Sequence, residues 1–133
     1  MLKPRVFIII PVHNRREVTL ACLANLQQTG DLANFQVVVV DDGSTDGTAE
    51  AVRSSYPEVK ILSGDGNLWW AGAIALGMQY ALDQEAKYIF WLNDDCLPQG
   101  NCLPKMLEFL QQQPRAVVGA SCWEKSTSYT YGC

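Results

Sequence analysis

The chain has 133 residues, is 48% hydrophobic and 18% charged, and carries a net charge of -4. That length suffices for one domain with a buried core but is small for an enzyme holding two substrates, so a further part of the protein is expected. An acidic chain without a basic run excludes a phosphate-backbone binder, whose affinity rests on clustered Lys and Arg, and no apolar stretch reaches the roughly 20 residues that span a bilayer.

Residues 6–12 lie behind Lys3 and Arg5 but lead into no signal-peptide cleavage pattern, so a cytoplasmic location is expected. Cys22, Cys96, Cys102, Cys122 and Cys133 form no CxxC pair and are odd in number. They read as reduced thiols filling small apolar spaces, and no chemistry is assigned to them.

In chain order, residues 6–10 are a continuous β-branched and aromatic run closed by Pro11, the pattern of a strand buried on both faces. Asn14 and Glu17 resemble a capping box, and Val18, Cys22 and Leu26 recur at helical spacing until Gly30. Residues 35–40 predict a second strand ending in Asp41-Asp42, followed by the turn-rich Gly43-Ser44-Thr45-Asp46-Gly47-Thr48 and a short helix over 49–55 that Pro57 ends. A third strand is expected over 59–62, then the loop Gly64-Asp65-Gly66-Asn67 and a long helix over 70–85. Residues 88–92 predict a fourth strand, residues 103–110 a helix with Asn101 as N-cap and Pro104 in its first turn, and residues 116–120 a fifth strand. Strands alternating with helices imply right-handed βαβ units: a doubly wound α/β domain, mostly parallel, with helices on both faces.

Ligands of such sheets bind outside the carboxyl ends of the strands. Tyr88-Ile89-Phe90-Trp91-Leu92 runs straight into Asn93-Asp94-Asp95 there. Adjacent carboxylates repel unless a proton or a metal comes between them, and Mg²⁺ or Mn²⁺ takes one or two carboxylates plus substrate phosphate oxygens. A solvated acidic turn is the plain alternative. Asp41 and Asp42 are either caps or acceptors for a nucleoside, and His13, the sole histidine, is either a loop residue or part of a nucleotide pocket. Trp69 and Trp70 read first as core packing and otherwise as stacking surfaces for a sugar or base. The Gly64 loop matches neither GxGxxG nor the P-loop pattern, which removes ordinary dinucleotide enzymes and P-loop NTPases.

Four segments taken together resemble the nucleotide-binding part of glycosyltransferase family 2, which has the Rossmann-like GT-A fold. They are Ile8-Ile9-Ile10-Pro11-Val12-His13-Asn14-Arg15, Val39-Val40-Asp41-Asp42-Gly43-Ser44-Thr45-Asp46-Gly47-Thr48, Gly66-Asn67-Leu68-Trp69-Trp70-Ala71-Gly72-Ala73 and Trp91-Leu92-Asn93-Asp94-Asp95. The resemblance implies a single GT-A domain over residues 1–133, truncated before most of its acceptor-binding half. It places Pro11 and His13 beside the nucleobase, Asp42 on the base or ribose, Asp41 in support of that loop, and Gly66 and Asn67 near the nucleotide. Asn93-Asp94-Asp95 takes the DXD position, with Asp94 facing the ribose or sugar and Asp95, with Asp94, holding Mg²⁺ or Mn²⁺ on the diphosphate.

The implied activity is inverting transfer from a UDP- or dTDP-sugar to a saccharide or lipid-linked acceptor, with a general base beyond Cys133. The wording around Trp69 is closest to members acting in bacterial surface-polysaccharide assembly, rhamnosyltransferases among them. That leaves room for peripheral association of the full-length protein at the inner face of the membrane. Ala75 departs from the Asn common in the family. A non-catalytic nucleotide-sugar-binding module is the competing reading. A sugar-nucleotide nucleotidyltransferase ranks last, because residues 11–16 lack a Gly-rich, basic loop.

Overall fold

The computed structural model describes residues 5–124 and 127–132. The chain divides into two compact units, one ending at Leu97 and one beginning at Pro98. The first holds β1 (Val6–Val12), α1 (Arg16–Thr29), α2 (Asp31–Asn34), β2 (Gln36–Asp41), α3 (Thr48–Ser55), β3 (Lys60–Ser63), α4 (Trp69–Asp83) and β4 (Tyr88–Trp91). Its sheet has the order β3-β2-β1-β4, and every pairing is parallel. The second unit contains α5 (Cys102–Gln112) and the antiparallel pair β5 (Ser121–Glu124) and β6 (Thr127–Gly132).

The apolar run of β1 forms the centre of the sheet, and Phe7, Ile8, Ile9 and Ile10 are all buried. Side chains alternate across a strand, so both faces of the sheet are covered. On one face Phe7, Ile9, Val38 and Val40 pack with Ala73, Ile74 and Ala81 of α4. Gly77 allows that approach, since a Cβ there would lie 2.3 Å from Ile9 Cγ2 and 3.2 Å from Val40 Cγ2. Cys22, Leu23 and Leu26 are the buried side of α1, which lies beside α2 and α3.

The expected doubly wound parallel sheet therefore forms, with several local corrections. β1 does not stop at Pro11 but continues to Val12, pairing as Pro11↔Val40 and Val12↔Asp41. Leu92 donates its N–H to the Ile9 carbonyl at 3.0 Å, so Ile9 and, two residues on, Pro11 turn their backbone groups toward β4. β4 has ended at Trp91 by then, and the missing N–H of proline costs no ladder bond.

Asn14 does not cap α1. Arg15 is the N-cap residue and makes no side-chain cap bond, whereas the Asn14 Oδ1 accepts the Thr45 N–H at 2.7 Å. The start of α1 is closed from another loop, by Asp46 Oδ2 accepting the Arg16 N–H at 3.0 Å. Asp46 Oδ1 accepts the Thr48 N–H at 3.1 Å, so one carboxylate serves the first turns of α1 and α3.

Asn101 takes the N-cap position of α5 as expected, without a side-chain cap bond. Residues 116–120 are not a strand: Val117 is 100% exposed, and strand structure begins only at Ser121.

Candidate functional site

The carboxyl ends of the strands enclose a cavity of about 410 Å³ within the first unit. Its walls are Pro11, Val12, His13 and Arg15 after β1, Asp42 after β2, Gly66, Trp69 and Trp70 from the loop into α4, and Asn93, Asp94 and Asp95 after β4. The β1–β2 ladder runs to Val12↔Asp41, whereas the β1–β4 ladder stops at Ile9↔Trp91. The segment after β4 is thereby released beside the end of β1, which brings its acids to the loops.

Asp42 organises the base of the cavity. Its Oδ1 accepts the Gly66 N–H at 2.8 Å, and its Oδ2 accepts the Leu68 and Trp69 N–H groups, each at 3.0 Å. Burial works to raise the Asp42 pKa, but these three donors, helped by His13, outweigh it and leave the pKa below the ordinary carboxylate value. The loop can come this close because residue 64 is glycine: a Cβ there would lie 2.6 Å from Asp42 Oδ1 and 2.5 Å from Leu68 Cδ1.

His13 is locked to the same loop. Its Nδ1 contacts the Asp42 carbonyl oxygen at 2.5 Å, so Nδ1 carries the proton, and Nε2 accepts the Asn14 amide at 3.3 Å.

The opposite wall carries the paired acids. The Asp94 side chain is 5% exposed and that of Asp95 56%. Arg15 reaches both, with Nη1 at 3.0 Å from Asp94 Oδ1 and Nη2 at 3.5 Å from Asp95 Oδ2. Burial pushes the Asp94 pKa up, the Asp95 charge adds to that, and Arg15 opposes it without reversing it. The second oxygen, Asp94 Oδ2, is buried with no hydrogen-bond partner among the described residues. Asn93 Oδ1 accepts the Trp70 indole N–H at 2.8 Å, and Trp70 meets Trp91 edge to face at 5.9 Å between centroids.

Beneath these acids the Cys22 thiol faces the Cys96 carbonyl at 3.7 Å. Burial first, then the charges of Asp94, Cys96 and Asp95, push its pKa to about 12, so it holds its proton and offers no nucleophile.

The structure thus brings Pro11, His13, Asp42, Gly66, Asn93, Asp94 and Asp95 around one cavity. Asp41 and Asn67 are not among its walls. Asp41 is buried and its Oδ1 accepts the Ser44 N–H at 3.0 Å, while Asn67 donates its N–H to Asp65 Oδ1 at 2.9 Å. Arg15 was not anticipated from sequence. Trp69, read first as core, is 80% exposed and takes a left-handed φ of 57° at the head of α4.

A hard divalent cation fits the acids. Asp94 Oδ2 is a buried oxygen with no hydrogen-bond partner among the described residues, and Asp95 also lines the cavity. No group of three or more His, Cys, Asp or Glu side chains able to hold a metal occurs among the described residues. The protein would give one or two carboxylates and leave the other positions to ligand oxygens and water, as Mg²⁺ and Mn²⁺ commonly require.

Residues 7–131 match the model of the family described as Glycosyl transferase family 2. The chain belongs to that family. Glycosyltransferase AglE of Haloferax volcanii is 33% identical to it over 106 residues, 77% of this chain and 34% of the relative. Validoxylamine A glucosyltransferase of Streptomyces hygroscopicus is 44% identical over 61 residues, 44% of this chain and 14% of the relative.

Among solved structures, the mannosyltransferase PcManGT from Pyrobaculum calidifontis, in complex with GDP-Man and Mn²⁺, superimposes with a TM-score of 0.67 at 27% identity. That match covers 93% of this chain and 36% of the other. S. aureus TarS in complex with UDP-GlcNAc gives 0.68 at 22% identity, over 81% and 31% of the two chains. The family 2 fold here is therefore the Rossmann-like GT-A fold, and the chain spans about a third of the length of AglE and PcManGT. No helix among the described residues is long and apolar enough to cross a membrane.

Proposed function

We propose that residues 1–133 are the donor-binding domain of an inverting, metal-dependent glycosyltransferase that uses a nucleoside-diphosphate sugar. The observation that carries this reading is the buried Oδ2 of Asp94, without a hydrogen-bond partner among the described residues, in one cavity with Asp95 and the His13 and Asp42 loop. The His13 side of that cavity offers a flat ring and backbone groups for a nucleoside. The acidic side suits a cation on the diphosphate, and the two lie within one cavity of about 410 Å³. The family match supports the transferase class, and a bound GDP-Man with Mn²⁺ in one relative supports the pairing of donor and metal.

In this reading Asp94 and Asp95 would hold Mg²⁺ or Mn²⁺, which would supply positive charge to offset that of the nucleoside diphosphate leaving group. Pro11, Val12 and His13 border the base. Asp42 positions the segment Gly66 to Trp69 rather than lending a free carboxylate, because three backbone N–H groups already occupy it. The acceptor hydroxyl oxygen attacks the anomeric carbon from the face opposite the diphosphate, whose C–O bond breaks while the hydroxyl proton passes to a carboxylate base. We place that base outside these 133 residues, because the acids of the cavity are engaged in positioning and charge balance.

A UDP- or dTDP-sugar as donor and a polysaccharide or glycolipid of the bacterial surface as acceptor, reached from the cytoplasmic side of the membrane, complete the proposal. Calorimetric titration of UDP, dTDP and GDP, each with Mn²⁺ and with chelator, tests it. One diphosphate is expected to bind only with metal, and Asp95→Ala is expected to abolish that binding while leaving the fold unchanged. Equal affinity in chelator, or in the variant, would defeat the metal assignment.

A further inference from the structure

Arg15 stands where a metal reading does not obviously want it. Its guanidinium touches both acids that the proposed cation would use, at 3.0 Å to Asp94 and 3.5 Å to Asp95. Among the described residues that line the cavity it is the one with a permanent positive charge. Its backbone is fixed as the N-cap residue of α1, whose next N–H is tied to Asp46, while its side chain is 44% exposed.

Without a metal, two neighbouring carboxylates, one nearly buried, need a compensating charge, and Arg15 supplies it. With a divalent cation on the same acids the balance reverses. Two negative and three positive charges then crowd one site, and the guanidinium is repelled by the metal that has replaced it. A nucleoside diphosphate entering with the metal offers the fork of Arg15 an equally good partner, because planar guanidinium matches phosphate oxygens as well as carboxylates.

We propose that Arg15 is a stand-in cation, holding Asp94 and Asp95 in place until a divalent metal enters and then moving to the diphosphate. Metal and nucleotide would consequently bind with positive coupling, each weakly alone. Arg15 competes with the metal in the empty cavity and supports the nucleotide in the filled one. This rests on the donor-and-metal reading above.

The test is Arg15→Met in the 133-residue chain, which keeps the apolar stem and removes the charge. Mn²⁺ alone, followed by the loss of its free-ion EPR signal, is expected to bind the variant about tenfold more tightly than the wild type. UDP, dTDP or GDP at saturating Mn²⁺ is expected to bind about tenfold more weakly, within the usual size of coupling between sites. Opposite signs are the signature, since a merely structural loss would weaken both. Arg15→Lys, with the charge but not the fork, should bind Mn²⁺ like the wild type and nucleotide less well, and it decides the matter if Arg15→Met fails to fold.

Mn²⁺ affinity that is unchanged or lower in Arg15→Met overturns the inference. If Mn²⁺ binding is meanwhile lost in Asp95→Ala, the metal reading stands and only the role of Arg15 falls. If Mn²⁺ binds neither the wild type nor Arg15→Met, with or without nucleotide, both fall.

Discussion

The Asp42 carboxylate closes a loop, and its protonation state sets whether that loop holds. Three N–H groups, from Gly66, Leu68 and Trp69, favour the charged form and leave its folded pKa below the ordinary value, although burial pulls the other way. A lowered carboxylate pKa contributes stability that is fully present above the unfolded value and lost as pH falls through the folded one. The contribution of Asp42 is therefore whole at neutral pH and is lost only as pH falls below the ordinary carboxylate range, through its lowered folded value. Asp42→Asn removes the titration and sets an amide N–H against backbone donors. Its unfolding free energy, measured in urea at several pH values, should change less steeply with pH in that acid window than the wild type does. Nucleotide affinity should also fall, because Trp69 keeps its left-handed φ of 57° against that bond. An unaltered acid slope would show that the three donors do not act on Asp42 as the geometry implies. His13, Asp42, Asp94 and Asp95 were legible as polar residues directly after apolar runs. Arg15 was not, because its meaning lies in an ion pair to residues far along the chain. Nor was the exposure of Trp69, since an indole after a turn reads the same whether it packs inward or lines a cavity.

Among the elements, α4 shows how closely a helix can be set on the sheet when one side chain is absent. Replacing Gly77 with Ala raises intrinsic helix stability by about 1 kcal/mol, but the added methyl falls 2.3 Å from Ile9 Cγ2, a buried β-branched side chain that cannot rotate away. Overpacking of that kind costs about 1–3 kcal/mol, so Gly77→Ala should be destabilising on balance. A lower urea midpoint at unchanged m-value is the expected result, and a higher midpoint would mean that α4 lies further from β1. The same sheet shows why elements were read unequally well. β1, β2 and α4 announce themselves because long apolar runs must be buried, and burial fixes both their type and their place. Residues 116–120 are apolar too, yet a strand also needs a partner with which to share N–H and C=O groups, and Val117 is fully exposed instead. The start of α1 was misread for a related reason: its closing acceptor is Asp46 of another loop, and capping rules see only the local sequence.

Across the whole molecule, every wall of the cavity lies in the unit that ends at Leu97, whereas α5, β5 and β6 belong to the unit that follows. Ligand that binds only the folded form stabilises what it touches by mass action, by about 2.7 kcal/mol at a concentration of 100 times its Kd. Amides that exchange only when the first unit opens should then slow by roughly 100-fold in hydrogen exchange of the full chain. The largest gains are expected at Gly66, Leu68 and Trp69, whose N–H groups are held by Asp42, and along β1 and β2 behind them. Mn²⁺ without nucleotide should protect the same amides far less in the wild type than in Arg15→Met, because Arg15 already occupies the acids. Residues 98–133 should keep their exchange rates if the two units open independently. Equal protection there would mean that they open as one cooperative body, and the free energy of binding at the strand ends would then be felt throughout the chain.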